Sequence, residues 1–340
     1  MKVLLYFENE KLIKTSGIGR ALKHQVAALE SVGIEYSLDS DCEDYDILHV
    51  NTYGPASSFL IAKAKKMGKK VIVHAHSTEE DFRDSFVLSN ELAPLVKKRL
   101  ISIYSKGDYI LTPTSYSKQI LESYGITKPV EALSNGIDIY RFAYDEEKVK
   151  AFRSYFHIKE EDKVIISVGL YFERKGLLDF VEVAKHFPQY RFIWFGYTPL
   201  YSIPKNIRET VLDNHPSNVY FPGYVKGAII EGAYQGCDAF LFASKEETEG
   251  IVVLEALAAK ANVIVRDIPV FDPWLKDKVN CYKGKSVDDF VRLVEGCVTN
   301  TLPSTKEEAR KTAVERSIDE VGRKLKEVYE KVMMLPGEEQ

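Results

Sequence analysis

The sequence predicts an α/β protein built from two parallel-sheet domains, and three observations predict it. Short apolar runs recur along the chain, KVLLYF, ILHV, VIVHAH, VIISVG, RFIWFG, VYFPG and AFLF, and most are followed by segments with apolar residues at helical spacing. These runs are apolar almost throughout, as strands covered by helices on both faces must be. Finally, 340 residues exceed one comfortable α/β core.

Composition narrows the class. The apolar fraction of 45% with 28% charged residues is that of an ordinary folded chain, and a net charge of -4 argues against a general nucleic-acid binder. Met1–Phe7 is too short for a signal peptide and turns acidic at Glu8. No apolar run approaches a membrane span, so the sequence predicts a cytoplasmic protein. Cys42, Cys237, Cys281 and Cys297 show no paired spacing, which predicts neither a zinc site nor a disulfide framework.

Taken in order, Lys2–Phe7 predicts the first strand. Lys11–Thr15 then leads into Ser16-Gly17-Ile18-Gly19-Arg20 and a helix over Ala21–Ser31. Glycines at a helix start let backbone approach a phosphate, although a lone G-x-G is also common in plain tight turns. Ser57–Lys66 predicts a helix, and from Ile47 to Thr78 the chain has five lysines, Lys63, Lys65, Lys66, Lys69 and Lys70, and no acid. Such a face is either a solvated helix exterior or a patch for anionic lipid. Val71–His76 predicts a strand delivering His76 to the sheet edge, with His74 structural within it. Leu92–Tyr104 combines Lys97, Lys98 and Arg99 with Leu100, Ile103 and Tyr104. It fits a core helix with a charged back, or an interfacial helix on a membrane surface.

Tyr109–Pro113 predicts a strand and Ser115–Tyr124 a helix. Asn135-Gly136-Ile137-Asp138 is a turn near mid-chain, and charged Asp145–Lys163 carries the crossing into the second half. There, Val164–Gly169 leads through Arg174-Lys175-Gly176 into a helix over Leu177–His186. Ala239–Phe242 leads through a polar turn, SKEETEG, into an alanine- and leucine-rich helix. Glu247 lies in that turn and Glu255 eight residues on, in the helix. Acids near a helix start are ordinary dipole partners as well as ligand groups. The end, Lys306–Met333, is helical and charged.

The spacing of Glu247 and Glu255 resembles the E-x7-E signature of retaining glycosyltransferases of the GT-B type, family 4. The glycine loop, His76, the Asn135–Asp138 turn and Arg174-Lys175-Gly176 follow that family's order, over nearly the whole chain. The resemblance implies two Rossmann-like domains facing across a cleft with a bridging C-terminal helix. Residues 1–143 would bind the acceptor, 144–318 the nucleotide sugar, and 319–340 would pack back towards the first domain. It implies hexose transfer from a UDP-sugar, glucose or galactose, with no metal or other cofactor. Glu247, His76 and Lys175 would be the catalytic residues. Gly17, Gly19, Arg174, Lys175, Gly250, Ile251, Val252 and Glu255 would bind the donor.

The opening of the chain and HAHSTEEDFRDSF resemble bacterial glycolipid synthases acting on monoglucosyl-diacylglycerol, the lipoteichoic acid anchor. That implies a glycolipid acceptor and an anionic membrane surface as partners, on the inner face of the cell membrane. A family 4 transferase with a soluble or other lipid-linked sugar acceptor would share every donor motif and is one alternative; the other, a non-catalytic sugar-nucleotide-binding protein, rests on Leu170, where family members commonly carry an arginine.

Overall fold

A computed structural model of the chain describes residues 1–8 and 17–336; the predicted lead-in Lys11–Thr15, with Ser16, lies outside them. The strands are β1 Lys2–Tyr6, β2 Glu35–Ser37, β3 Ile47–Val50, β4 Lys70–His74, β5 Tyr109–Thr112, β6 Val130–Ala132, β7 Val164–Val168, β8 Arg191–Phe195, β9 Val219–Gly223, β10 Ala239–Phe242, β11 Val263–Arg266 and β12 Tyr282–Gly284. The helices are α1 Gly17–Ser31, α2 Pro55–Lys66, α3 Glu79–Phe82, α4 Ser89–Tyr104, α5 Ser115–Ser123, α6 Glu146–Tyr155, α7 Leu177–Lys185, α8 Lys205–Leu212, α9 Ala228–Gly236, α10 Ile251–Ala258, α11 Val287–Val298, α12 Lys306–Val314 and α13 Ile318–Met333.

The chain divides into two compact units. The first takes in the described residues of 1–82, 92–137 and 316–340, and the second those of 83–91 and 138–315. Each contains a six-stranded sheet, ordered β2-β1-β3-β4-β5-β6 in the first and β12-β11-β10-β7-β8-β9 in the second. Every strand pairing within these sheets is parallel. The sequence explains the central positions. β3, β5, β7 and β10 are buried at every residue, because helices cover both faces of a parallel sheet.

In the first unit, α13 presents Val321, Leu325, Val328, Tyr329 and Val332 at helical spacing to the core containing Val3, Leu5 and Ile47. It lies close on α1: a Cβ at Gly322 would stand 2.5 Å from the carbonyl oxygen of Ala28. Glycine is therefore required there for the two backbones to approach.

Several boundaries differ from the sequence expectation for identifiable reasons. α1 begins at Gly17, so both glycines and Arg20 lie in its first turn and not in a loop ahead of it. α2 begins at Pro55, where a proline's missing N–H costs nothing. β4 ends at His74, two residues before His76. The charged crossing contains α6, which Asp145 caps by accepting from the N–H groups of Glu147 and Lys148. The C-terminal stretch is two helices, because the Ser317 hydroxyl caps the second by accepting from Glu320 N–H. In α4, Leu100, Ile103 and Tyr104 are buried in the core, so they are not the side chains that reach towards a lipid phase. Leu92 and Leu95, 45% and 61% exposed, are the apolar residues that α4 leaves at the surface.

Candidate functional site

The second sheet runs outwards in both directions from its centre. β7 continues to β8 and β9 on one side, and β10 to β11 and β12 on the other. The loops leaving the carboxyl ends of β7 and β10 therefore diverge, and such a reversal is where ligands enter an open parallel sheet. The two loops are the segments the sequence singled out, Gly169–Gly176 and Ala243–Gly250.

They are joined by charge and by close backbone contact. Lys175 Nζ lies 2.5 Å from Glu247 Oε1; the lysine is partly buried and the carboxylate buried, at 14% and 6% side-chain exposure. The same carboxylate oxygen accepts a 2.7 Å bond from the Ser244 hydroxyl. Lys245 N–H donates to the carbonyl of Arg174 at 2.6 Å. Gly176 has φ +75°, and a Cβ there would stand 2.2 Å from the Ala243 carbonyl oxygen. Only glycine supplies both that left-handed backbone and that approach. The Ala243 carbonyl in turn accepts from Arg266 Nε at 3.0 Å, and the Arg266 guanidinium pairs with Asp179.

Arg174, next to Lys175, bonds to two neighbouring segments. Its side chain is buried, its Nε donates to Ser85 Oγ at 2.8 Å, and its Nη1 donates to the Glu246 carbonyl at 3.1 Å. It ties segment 83–91 to the β10 loop within the second unit. Leu170 is partly buried and packs against that unit's apolar core.

Glu255 lies in α10, buried, where its Oε2 accepts a 2.6 Å bond from the Tyr234 hydroxyl. Tyr234 carried no signal in the sequence; its role depends on α9 packing beside α10. Gly250 caps α10, and Ile251 and Val252 occupy its first turn, whose N–H groups have no acceptor within the helix. Glu249, in the same turn, is also buried.

The first sheet has its own reversal, between β1 and β3. Gly17 there is exposed and a Cβ on it would meet no atom of the described residues within 4 Å, whereas Gly19 is buried. His76 lies past the end of β4, buried, with Nε2 2.8 Å from Asn51 Oδ1 and its ring stacked on His74 at 4.1 Å. Burial pulls its imidazole down to about 3, against a hydrogen bond with Asn135 acting the other way. The mid-chain turn is also anchored: Ile137 N–H donates to the Arg316 carbonyl at 3.0 Å, and Asp138 Oδ1 accepts from Tyr140 and Arg141 N–H. Among the described residues no group of three or more His, Cys, Asp or Glu side chains is placed to hold a metal ion.

Two family models match, "Glycosyltransferase Family 4" over residues 24–141 and "Glycosyl transferases group 1" over residues 149–316. The chain is 47% identical to the processive diacylglycerol alpha-glucosyltransferase of Acholeplasma laidlawii, over 98% of this chain and 99% of that one. The chain belongs to this glycosyltransferase family. A more distant relative is the alpha-galactosylglucosyldiacylglycerol synthase of Streptococcus pneumoniae (strain ATCC BAA-255 / R6), 23% identical over 92% of this chain and 82% of that one. Among solved structures, Anabaena HepE in complex with UDP-glucose superposes with a TM-score of 0.77 at 14% identity, covering 97% of this chain and all of that one. The glycosyltransferase fold is thus GT-B, with two Rossmann-like units.

Proposed function

We propose that this glycosyltransferase moves a hexose from a UDP-sugar to a diacylglycerol glycolipid, monoglucosyl-diacylglycerol in particular, with retention of the anomeric configuration. The observation that carries the site is the Lys175–Glu247 pair, largely out of solvent, at the β7/β10 reversal. A cation held there meets the charge that develops on a departing diphosphate, and α10 offers N–H groups to the same anion. Glu247 would bind hydroxyls of the transferred sugar. Glu255, oriented by Tyr234, would bind the ribose hydroxyls. Gly250, Ile251 and Val252 would supply backbone N–H groups to the diphosphate, while Arg174 shapes the loop that presents Lys175. His76 would contact the sugar, and Gly17 and Gly19 would face the donor phosphates.

The acceptor class rests on the relatives' names, a processive diacylglycerol glucosyltransferase and a galactosylglucosyldiacylglycerol synthase. Glucose is favoured as the hexose, since the 47% relative is a glucosyltransferase and the galactosyl enzyme is only 23% identical. A sugar nucleotide carries its glucose as the α-anomer, so the α-product named for both relatives would be the retained configuration. A lipid acceptor requires a membrane surface, and no helix among the described residues is long and apolar enough to cross one. Contact would come from Phe59, Leu92 and Leu95, which α2 and α4 expose, beside Lys66 and Lys98.

The test is a transfer assay with UDP-glucose and UDP-galactose, each against monoglucosyl-diacylglycerol in anionic vesicles, with product read by mass. A dihexosyl lipid from UDP-glucose is expected. UDP release with no lipid product would remove the glycolipid acceptor.

A further inference from the structure

Around His76 the first unit buries an unusual concentration of imidazole and carboxamide groups, drawn from elements distant in sequence. His49 on β3 and His74 on β4 stack at 5.4 Å, and His74 stacks in turn on His76. Gln25 comes from α1, Asn51 follows β3, and Tyr329 comes from α13. All six are buried.

Their hydrogen bonds can be assigned by counting protons. The Gln25 amide nitrogen has two, and it stands 2.8 Å from Asn51 Oδ1 and 2.7 Å from His74 Nδ1. His74 Nδ1 is therefore a lone pair, and His74 is neutral with its proton on Nε2. His49 Nε2 lies 3.3 Å from the same His74 nitrogen, whose single lone pair Gln25 already takes. His49 Nδ1 pairs with the Tyr329 hydroxyl at 2.7 Å. At the other end Asn51 Oδ1, already accepting from Gln25, can only accept again from His76 Nε2. With the two carboxamides in this orientation the proton of His76 is on Nε2; turning both over would put it on Nδ1, so the His76 tautomer is the direct test of the network.

We propose that Asn51, Gln25 and the His49–Tyr329 pair are positioning residues for His76, holding it in the Nε2-protonated tautomer and in one ring orientation for contact with the sugar. This rests on the reading of His76 as a substrate contact. It goes beyond it in assigning work to four residues outside that contact, one of them on the last helix. The arrangement accounts for two costs that packing alone would not incur. Three histidines occupy positions where aliphatic side chains would fill the same core, and Asn51 Nδ2 and His74 Nε2 are buried with no hydrogen-bond partner among the described residues. Burial supports the assignment, holding His49 and His76 down to about 3 and His74 well below its ordinary value, so all three stay uncharged near neutrality.

The experiment uses the full chain with 15N-labelled histidine. Two-bond proton–nitrogen correlations at pH 7 report the tautomer, and steady-state transfer from UDP-glucose to monoglucosyl-diacylglycerol vesicles reports kcat and KM. In the unmodified protein His76 should be protonated at Nε2. Tyr329→Phe removes one donor and keeps the ring. It should lower kcat about 2- to 10-fold, the worth of one buried hydrogen bond, with the KM for UDP-glucose unchanged. Gln25→Met should do more, and should give mixed tautomers at His74 and His76.

An Nδ1-protonated His76 in the unmodified protein would overturn the proposal. So would wild-type kcat in both variants when His76→Ala is impaired, since the contact would then need no relay. Wild-type kcat in His76→Ala would instead remove the substrate contact, and the relay with it.

Discussion

The two sheets reverse their strand order beside a central strand, yet they furnish the two reversals differently. At β7/β10 the groups are ionic, with Lys175 on Glu247 and Arg174 spread over Ser85 and the Glu246 carbonyl. At β1/β3 they are neutral, with imidazoles and carboxamides bonded to one another. On the proposed function, the difference suits what each would recognise. A departing diphosphate is stabilised by cations that are already in place, and a buried cation must be paired while it waits. A sugar hydroxyl is uncharged and is better read by fixed neutral dipoles, for which a protonated histidine would be a liability. One topology thus hosts two electrostatic solutions, chosen by side chains at the strand ends.

Breaking the ionic half should have the largest effect. Glu247→Ala is expected to lower transfer at least about a hundredfold, by analogy with loss of one preorganised charge-stabilising group. It also leaves Lys175, partly buried, without its partner, and breaking one side of a buried pair costs on the order of 3–5 kcal/mol of stability. Glu247→Gln keeps an acceptor for Ser244 and should therefore lose transfer while unfolding at a higher temperature than Glu247→Ala. Near wild-type transfer in either variant would end the assigned role.

The neutral half should show itself in stability against pH. His49 and His76 are held down to about 3 in the folded state, while in the unfolded chain they protonate around 6.5. Between those values the unfolded state binds more protons, so stability is intact above about pH 6.5 and is lost as pH falls towards 3. Each imidazole contributes a slope of up to about 1.4 kcal/mol per pH unit. Urea midpoints should fall between pH 7 and 5.5, a range in which ordinary carboxylates stay ionised, and His49→Gln should flatten the fall. Equal midpoints would show that these histidines protonate while the protein is folded.

Much of the fold was legible because parallel strands buried on both faces declare themselves as unbroken apolar runs, and glycines mark the turns that follow. The short edge strands β2, β6 and β12 were not, since three half-covered residues such as Glu35–Ser37 have no period to detect. The ionic site was legible for a related reason: Lys175 and Glu247 each lie in the loop that leaves a strand of unbroken apolar residues, so local sequence places them. Tyr234, Gln25, His49 and Tyr329 act through tertiary packing. His49 and Tyr329 are separated by 280 positions, and no spacing rule joins them. Arg174 shows the converse, a cation in the expected place whose guanidinium is occupied in holding a loop.

The smallest effect concerns the surface of the first unit, where the lysine-rich stretches suggested attraction to anionic lipid. The structure sorts those lysines. Lys63 pairs with Glu43 at 2.8 Å, Lys65 with Asp108 at 3.3 Å, and Lys97 with Glu79 at 3.1 Å, so their charges are largely balanced where they stand. Lys66 and Lys98 are exposed. A lysine near an anionic surface is worth about 1 kcal/mol, roughly fivefold in partitioning. Lys66→Glu with Lys98→Glu should therefore weaken co-sedimentation with anionic vesicles by more than tenfold, an effect that salt diminishes. Lys65→Glu with Lys97→Glu adds repulsion to existing acids and tests local stability as much as binding. Leu95→Asn separates the apolar part, since it should weaken vesicle binding at high salt as well as low. Unchanged binding in both Lys66→Glu/Lys98→Glu and Leu95→Asn would place the lipid-facing surface elsewhere on the molecule.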